Sequence, residues 1–411
     1  MTRTDTGRRY ELDWLRSIAF ALLILYHIGM YYVADWGWHI KSNQTFTGLQ
    51  DLMILTNPWR MSLLFLLAGM ALSLVLPRIS RLKLLGLRSK RLLIPLLFTM
   101  FVVVVPQVYY EALSQQLIQP GYLQFWWQYI NPVTDLLPDH HSPIGLLTWN
   151  HAWFIPYLWC YSLLVLLFYP LFNALAQALW VLQLQGRYAL ALVFGLLFWA
   201  WWTLWADFPS THALVDDWYN HAKYFLVFIA GFLLARQDLW WQQLVLNRRL
   251  WLGLALLCYS LIIAERHDVF DYYSGPTQSE TLHNMLFGFV LVMNHWVWLL
   301  ALLGYAGAYL AKTNSPLLRY CNDAVLPWYI LHQTLIILFA AWLKPLAIPA
   351  IAEFPLLLVL TVAGCWLGYE CIRRSALLRW CFGLKMAAGL RPHHSETEVA
   401  DAKSLFSKLK T

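Results

Sequence analysis

The sequence contains little charge. Only 12% of its 411 residues are Asp, Glu, Lys or Arg, about half the share of an ordinary soluble domain, whereas 60% are apolar. A water-soluble fold of this composition would precipitate, because it could not cover its surface with polar groups. The apolar residues also form runs long enough to cross a hydrocarbon layer of roughly 30 Å as helices. We therefore predict an all-α, polytopic membrane protein.

Disulfide and metal signals are also missing. The six cysteines fall in predicted helices or in predicted cytoplasmic segments, and none lies in a loop predicted to face outward. The chain has no Cys-x-x-Cys motif and no Cys/His spacing typical of zinc sites. We therefore expect no disulfides, no metal and no permanently bound cofactor.

Apolar runs bounded by charges and turn residues predict about ten transmembrane helices. The chain shows no convincing internal repeat and no second soluble domain. We therefore expect one transmembrane domain over 1–385 and a cytoplasmic tail over 386–411. The predicted helices cover residues 17–34, 51–76, 92–113, 151–176, 188–206, 220–235, 250–264, 283–311, 324–343 and 355–372.

The basic residues are unevenly distributed between the segments that connect these helices. With the N-terminus inside, all but five of the 29 Lys and Arg residues lie on the cytoplasmic side. Because cytoplasmic loops carry an excess of Lys and Arg, both termini are predicted to be cytoplasmic. The net charge of +7 forms no single basic patch, so we expect membrane lipid but no nucleic acid as a partner. The five outward residues are Lys41, Arg60, Lys223, Arg266 and Lys344.

Arg16 and His27 form the most specific pattern in the sequence. Eleven positions make about three helical turns, so both side chains lie on one face of the first helix, roughly 16 Å apart along its axis. An ionisable residue near mid-membrane is costly and indicates function, and imidazole can take and return a proton near neutral pH. His27 is therefore a candidate general base. The alternative is a neutral histidine that bonds to another helix.

A second basic pattern, Arg88 with Arg91, precedes Leu-Leu-Ile-Pro at the start of the third predicted helix. Two guanidinium groups suit the phosphates of a nucleotide-bearing donor such as coenzyme A. A cytoplasmic basic loop is also what membrane topology or anionic lipid requires, so this alternative stays open.

Four further residues are candidates for an acceptor site or pocket. His151 begins the fourth predicted helix beside Trp153, and it either orients an acceptor hydroxyl or is solvated at the interface. His332 lies about two turns into the ninth predicted helix, where it serves either the site or helix packing. Arg60 either holds a negatively charged group or extends its side chain to the interface.

Together these motifs resemble the acyltransferase-3 family of membrane acyltransferases, and the matches are spread over nearly the whole chain. Within that family the sequence looks most like the glucan biosynthesis protein C branch, whose members are described as modifying periplasmic glucans with succinyl groups. It departs from the common pattern at Ala68, where the family often has serine. The motifs are Arg16 with His27, Arg88 with Arg91, Leu64–Gly69, Trp153–Leu158 and Tyr329–Gln333.

The resemblance implies that His27 is the essential histidine, that Arg16 is its partner, and that Arg88 and Arg91 form a second arginine motif. It implies transfer of an acyl group, succinyl or acetyl, from cytoplasmic acyl-coenzyme A to a hydroxyl of an envelope glycan at the bacterial inner membrane. Direct transfer and a transient acyl-enzyme stay open. A succinyl group would favour an additional cation, which Arg60 or Lys344 could supply.

Two other function classes stay open at this point. A secondary transporter of a small organic anion also fits about ten helices with buried histidines, although matching broken helices in two related halves are not apparent. A non-enzymatic scaffold in a polysaccharide assembly is the other alternative.

Overall fold

The computed structural model describes residues 8–137, 142, 144–181, 186–270 and 280–385. Within these ranges the fold is all-helical, and the only strand-like pairings are two isolated bridges, Val33–Phe46 and Ile144–Leu147. The all-α prediction is confirmed for this part of the chain. The predicted tail, 386–411, lies outside the described residues.

Sixteen α-helices follow one another along the described chain, with short 3₁₀ turns at 76–78, 150–153 and 344–346. They are α1 (Tyr10–Tyr32), α2 (Leu49–Ile54), α3 (Asn57–Val75), α4 (Arg81–Phe98), α5 (Val105–Ser114), α6 (Tyr122–Tyr129), α7 (Phe154–Leu167), α8 (Tyr169–Val181), α9 (Gly186–Leu204), α10 (Trp218–Leu234), α11 (Asp238–Leu246), α12 (Arg248–Arg266), α13 (Glu280–Tyr309), α14 (Pro316–Leu343), α15 (Ala350–Ile372) and α16 (Ala376–Cys381).

Each of the ten predicted segments overlaps a helix of the structure. Among the described residues, seven helical segments are long and apolar enough to cross a membrane, or up to nine if each of two bent pairs is one span. The predicted segment 220–235 corresponds to α10, which has only 17 residues. The fold is therefore compatible with that of a polytopic membrane protein. The number of spans and the cytoplasmic location of the termini stay predictions.

Two predicted helices, 92–113 and 151–176, contain a break with a clear local cause, and a third bend lies just before the predicted helix 250–264. Pro95 lies inside α4 and cannot donate a backbone hydrogen bond, and a π-helical turn over 99–103 follows it before α5 begins. The chain bends by 75° between α7 and α8, just before Pro170, and by 65° between α11 and α12. Because the chain breaks and bends at these points, the ends of the apolar runs in the sequence do not coincide with the ends of the helices.

Helix α3 lies at the centre of the protein. Its membrane-length window is 78% buried, the largest share among the seven spans, so apolar residues all around the helix contact neighbouring helices rather than lipid. It packs against α1, α7, α10 and α13. The ring of Phe65 contacts the rings of Phe154 and Tyr161 on α7 and of Tyr224 on α10, which joins α3, α7 and α10 in one core.

The aromatic residues of the segment between α5 and α7 form a separate small core. Phe125 and Tyr129 on α6 are fully buried with Val105 and Val108 of α5. The hydroxyl of Tyr129 donates to the carbonyl oxygens of Met100 and Thr148, at 2.9 and 3.2 Å. These rings therefore stabilise the segment.

Helices α3 and α10 approach each other closely at two glycines. A Cβ atom on Gly69 would lie 2.0 Å from the carbonyl oxygen of Phe228, and one on Gly231 would lie 2.1 Å from that of Leu66. The two backbones are therefore in direct contact, as in other membrane helix pairs that use small residues. Because both neighbours are backbone atoms, a side chain cannot be accommodated by a rotamer change.

We expect Gly231→Ala to destabilise the protein by about 1–3 kcal/mol, because α3 and α10 must move apart. The measurement is the thermal unfolding midpoint of the detergent-solubilised protein. Gly195→Ala on α9 is the matched control, since a Cβ there meets nothing within 4 Å. Equal midpoints for the two variants would show that the close approach is not required.

Candidate active site

A cavity of about 480 Å³ lies between α1, α3, α9, α10 and α13 and contains His27. It is lined by polar and aromatic side chains in addition to a few aliphatic ones. The lining residues are Tyr26, His27, Asn57, Pro58, Arg60, Met61, Trp153, Leu197, Trp201, Trp205, Ser210, His212, Tyr219, Lys223, Tyr224, Leu291, Val292 and His295.

A hydrogen bond to His332 determines which nitrogen of His27 is free. Nδ1 of His332 lies 2.8 Å from the carbonyl oxygen of Tyr329 and 3.2 Å from that of Trp328. Carbonyl oxygens only accept, so Nδ1 of His332 carries the hydrogen and Nε2 of the neutral ring is an acceptor. Nδ1 of His27 lies 2.8 Å from that Nε2 and must donate to it. Nε2 of His27 therefore holds a lone pair, and no described residue donates to it.

His151 lies behind His332 rather than in the cavity. Its Nε2 donates to the carbonyl oxygens of Tyr329 and Ile330, at 3.0 and 3.1 Å, and its Nδ1 accepts from Gln107 at 3.2 Å. Both nitrogens are engaged, and the residue is only 6% exposed. No lone pair of His151 is thus available for an acceptor hydroxyl, and its visible role is to support α14 behind the His27–His332 pair.

Arg60 and Trp153 do line the cavity. Arg60 is 3% exposed, so it does not extend to the interface, and its guanidinium lies 3.8 Å from the ring centre of Tyr26. The ring of Trp153 lies 4.1 Å from that of His212, which belongs to the segment between α9 and α10. Both residues therefore reach the cavity that contains His27.

The segment between α9 and α10 covers one side of the cavity and is held by Asp217. This buried carboxylate accepts hydrogen bonds from the hydroxyl of Tyr157 and from the backbone N–H of Thr211. Burial lowers the pKa of His212 to about 4, so this imidazole is neutral at pH 7. His212 therefore contributes an aromatic surface to the cavity and no positive charge.

The second group of predicted residues lies at the other end of α1. Arg88 donates to the hydroxyl of Ser162 at 2.6 Å, and Arg16 donates to the side-chain oxygen of Asn322 at 3.0 Å. Arg88 also interacts electrostatically with Arg91 and Arg16, so the three cations converge although they come from two helices. Arg91 as a whole residue is exposed.

Arg16 and His27 contact the same neighbouring helix. Their partners, Asn322 and His332, are both on α14 and are also about three turns apart. This agrees with the prediction that the two side chains share one face of α1. The arginine cluster and the histidine pair therefore lie about 16 Å apart along one helix axis.

Several cavity residues were not among the predicted site residues, notably Lys223, His212 and Tyr224. Lys223 had a usable signal, since it is the only Lys, Arg, Asp or Glu residue of α10. Lys344 does not line the cavity. Among the described residues, no group of three or more His, Cys, Asp or Glu side chains is placed to hold a metal ion.

Comparison with known proteins gives one match. A family model described as an acyltransferase domain, from the acyltransferase 3 family, matches residues 9–370. No curated protein and no solved structure matches the chain. Because the family match covers nearly the whole chain, including α1 with His27 and α14 with His332, the protein belongs to the acyltransferase 3 family and is a membrane acyltransferase.

Proposed function

We propose that the protein transfers an acyl group, succinyl or acetyl, from cytoplasmic acyl-coenzyme A to a hydroxyl of a periplasmic or other cell-envelope glycan. His27 is the general base. The observation that carries this proposal is the hydrogen bond from Nδ1 of His27 to Nε2 of His332, because it leaves the lone pair of His27 Nε2 free in a residue that lines a cavity.

The arginine cluster supports an acyl-coenzyme A donor. Arg16, Arg88 and Arg91 are the residues that would bind its phosphates, because several guanidinium groups at one place suit a polyphosphate better than a neutral metabolite. The pantetheine arm of coenzyme A is an extended chain that separates the phosphates from the thioester. It would bridge the approximately 16 Å from this cluster to His27 along α1.

The aromatic wall of the cavity supports a carbohydrate acceptor. Trp153, Trp201 and Trp205 line it together with Tyr219 and Tyr224. Flat aromatic faces suit the C–H faces of sugar rings, and the polar edge of each ring can still donate a hydrogen bond. We infer that an acceptor sugar lies against this wall, with one hydroxyl directed at His27.

The free lone pair of His27 serves the chemistry in either of two routes. In direct transfer, Nε2 takes the proton from the acceptor hydroxyl while its oxygen attacks the thioester carbonyl, the C–S bond breaks, and the proton passes to the departing thiolate. In a two-step route, Nε2 attacks the thioester carbonyl and the C–S bond breaks, which releases the thiolate of coenzyme A. The acceptor hydroxyl then attacks the acyl carbon, the bond from that carbon to Nε2 breaks, and the hydroxyl proton passes to the thiolate. His332 orients the ring in both routes and accepts the Nδ1–H bond of the resulting imidazolium.

Family membership favours this enzymatic function over the transporter and scaffold alternatives. Release of free coenzyme A from radiolabelled acyl-coenzyme A by the purified protein, without a gradient across vesicles, discriminates among the three. The enzyme releases coenzyme A and labels the glycan. A transporter would accumulate label without thioester cleavage, and a scaffold would do neither.

We expect His27→Ala to lower kcat by about 10²–10⁴-fold, because the reaction loses its general base while the fold is kept. Release of coenzyme A in the presence of acceptor is the assay. His283→Ala is the control, since this histidine pairs with Glu265 at 2.8 Å and does not line the cavity. A His27→Ala protein with half the original activity would rule out the proposed role.

His332 is expected to act as a positioning residue. Loss of one buried hydrogen bond costs about 1–3 kcal/mol, so His332→Ala should lower kcat by roughly 10- to 100-fold with little change in KM for the donor. His332→Gln should recover part of the rate, because its amide oxygen can accept from Nδ1 of His27. A purely structural role would instead reduce thermal stability in proportion to activity and show no recovery with glutamine.

We expect Arg88→Met and Arg91→Met to raise KM for acyl-coenzyme A by about tenfold or more each, since each removes a charge-assisted contact. The same variants should not alter KM for acyl-pantetheine, which lacks the phosphates. Lys90→Met, an exposed cation on the same helix, controls for total charge. If KM rises equally for both donors, the arginines do not bind the phosphates.

A further inference from the structure

Two cations other than the arginine cluster occur in the cavity that contains His27. Arg60 is 3% exposed, and its Nε is buried without a hydrogen-bond partner, while its Nη1 donates to the hydroxyl of Thr56 at 3.3 Å. The ammonium of Lys223 lies 4.3 Å from the ring centre of Tyr224 and 5.1 Å from that of Tyr219. Within the described residues, neither cation forms a salt bridge with a carboxylate.

The cavity wall supplies no negative charge to balance them. No Asp or Glu is among the described residues that line it. The carboxylate with a marked electrostatic effect on Lys223 is Asp217, which is fully buried and does not line the cavity. Its oxygens already accept hydrogen bonds from Tyr157, Thr211 and Asn220. Asp217 thus holds the neighbouring segment and is not available to pair directly with Lys223.

Cations withdrawn from water are costly unless an anion or hydrogen-bond acceptors compensate them. Aromatic faces give Arg60 and Lys223 part of this compensation, through Tyr26 and Tyr224. Nε of Arg60 nevertheless stays without a hydrogen-bond partner, and no described carboxylate pairs with the ammonium of Lys223. A bound oxyanion would supply the missing charge and the missing acceptors together.

We propose that Arg60 and Lys223 form a binding site for a substrate oxyanion, a carboxylate or a phosphate, beside His27. Arg60 lies over the ring of Tyr26, the residue before His27, and both cations line the cavity that contains His27, so an oxyanion bound there belongs to one of the reacting molecules. It is either the free carboxylate of a dicarboxylic acyl group or an acidic group on the acceptor glycan. This inference rests on the proposed function, because both sources are substrates of that reaction.

The first experiment compares two acyl donors of equal chain length, using the full-length protein in nanodiscs. Succinyl-coenzyme A carries a carboxylate where butyryl-coenzyme A has a methyl group. If the acyl group supplies the oxyanion, the ratio of their kcat/KM values should favour succinyl, and Lys223→Met should lower that ratio by about tenfold. Lys223→Arg should retain it, because the charge is kept. Lys344→Met is the matched control, since Lys344 does not line the cavity.

The second experiment keeps the donor neutral, as acetyl-coenzyme A, and compares a neutral glucan with the same glucan carrying phosphoglycerol groups. If the acceptor supplies the oxyanion, Lys223→Met should lower the preference for the charged glucan by about tenfold and should not alter the ratio for the two donors. A change in either ratio supports the site and identifies its source. If Lys223→Met changes neither ratio, the proposal is overturned.

A binding measurement separates this proposal from the proposed function. Free succinate and inorganic phosphate are the probes, and the readout is the thermal unfolding midpoint, which rises when a ligand binds only the folded protein. At least one probe should raise the midpoint of the wild-type protein and not that of Lys223→Met. Such a difference without acyl transfer would leave the anion site standing and overturn the proposed function. If acyl transfer depends on His27 but Lys223→Met changes neither the midpoint nor either ratio, the proposed function is kept and the anion site is overturned.

Discussion

The hydrogen bond between His27 and His332 is the contact on which the arrangement of the site depends. It joins α1 to α14 in the apolar interior, and the carbonyl oxygens of α14 determine its direction by holding the hydrogen of His332 on Nδ1. Because carbonyl oxygens cannot donate, the two rings have one consistent pattern of hydrogens when both are neutral. The free lone pair on Nε2 of His27 therefore depends on the backbone carbonyl oxygen of Tyr329, through the ring of His332.

The packing around α3 places this pair beside a cavity. Gly69 and Gly231 allow α3 and α10 to touch through their backbones, which brings Arg60 on α3 and Lys223 on α10 into the wall of one cavity with His27. The arginine cluster lies at the opposite end of α1. The protein thus has two separate cationic regions joined by one helix, an arrangement that suits a substrate with negative charge at one end and a reacting carbonyl at the other.

Much of this fold was readable from the sequence because lipid imposes a simple rule on it. Each backbone polar group must be satisfied inside its own segment, so long apolar runs can only be helices. All ten predicted segments overlap helices for this reason. The break at 99–103 follows Pro95 and so has a local cause, whereas the bend at Asn247 has no proline beside it and depends on how neighbouring helices pack. The buried positions of Phe125 and Tyr129 were not readable either, because they depend on packing against α5.

The sequence by itself determined that the protein is helical and that Arg16 and His27 share one face of α1, since both follow from composition and from the 3.6-residue period. It could not determine that His332 lies against His27, that His151 has no free nitrogen, or that Lys223 joins Arg60 in one cavity. These residues are far apart in the chain, and their contacts depend on which helix faces pack together. That choice is made by side-chain volume and close backbone approach across the whole bundle, which no local pattern encodes.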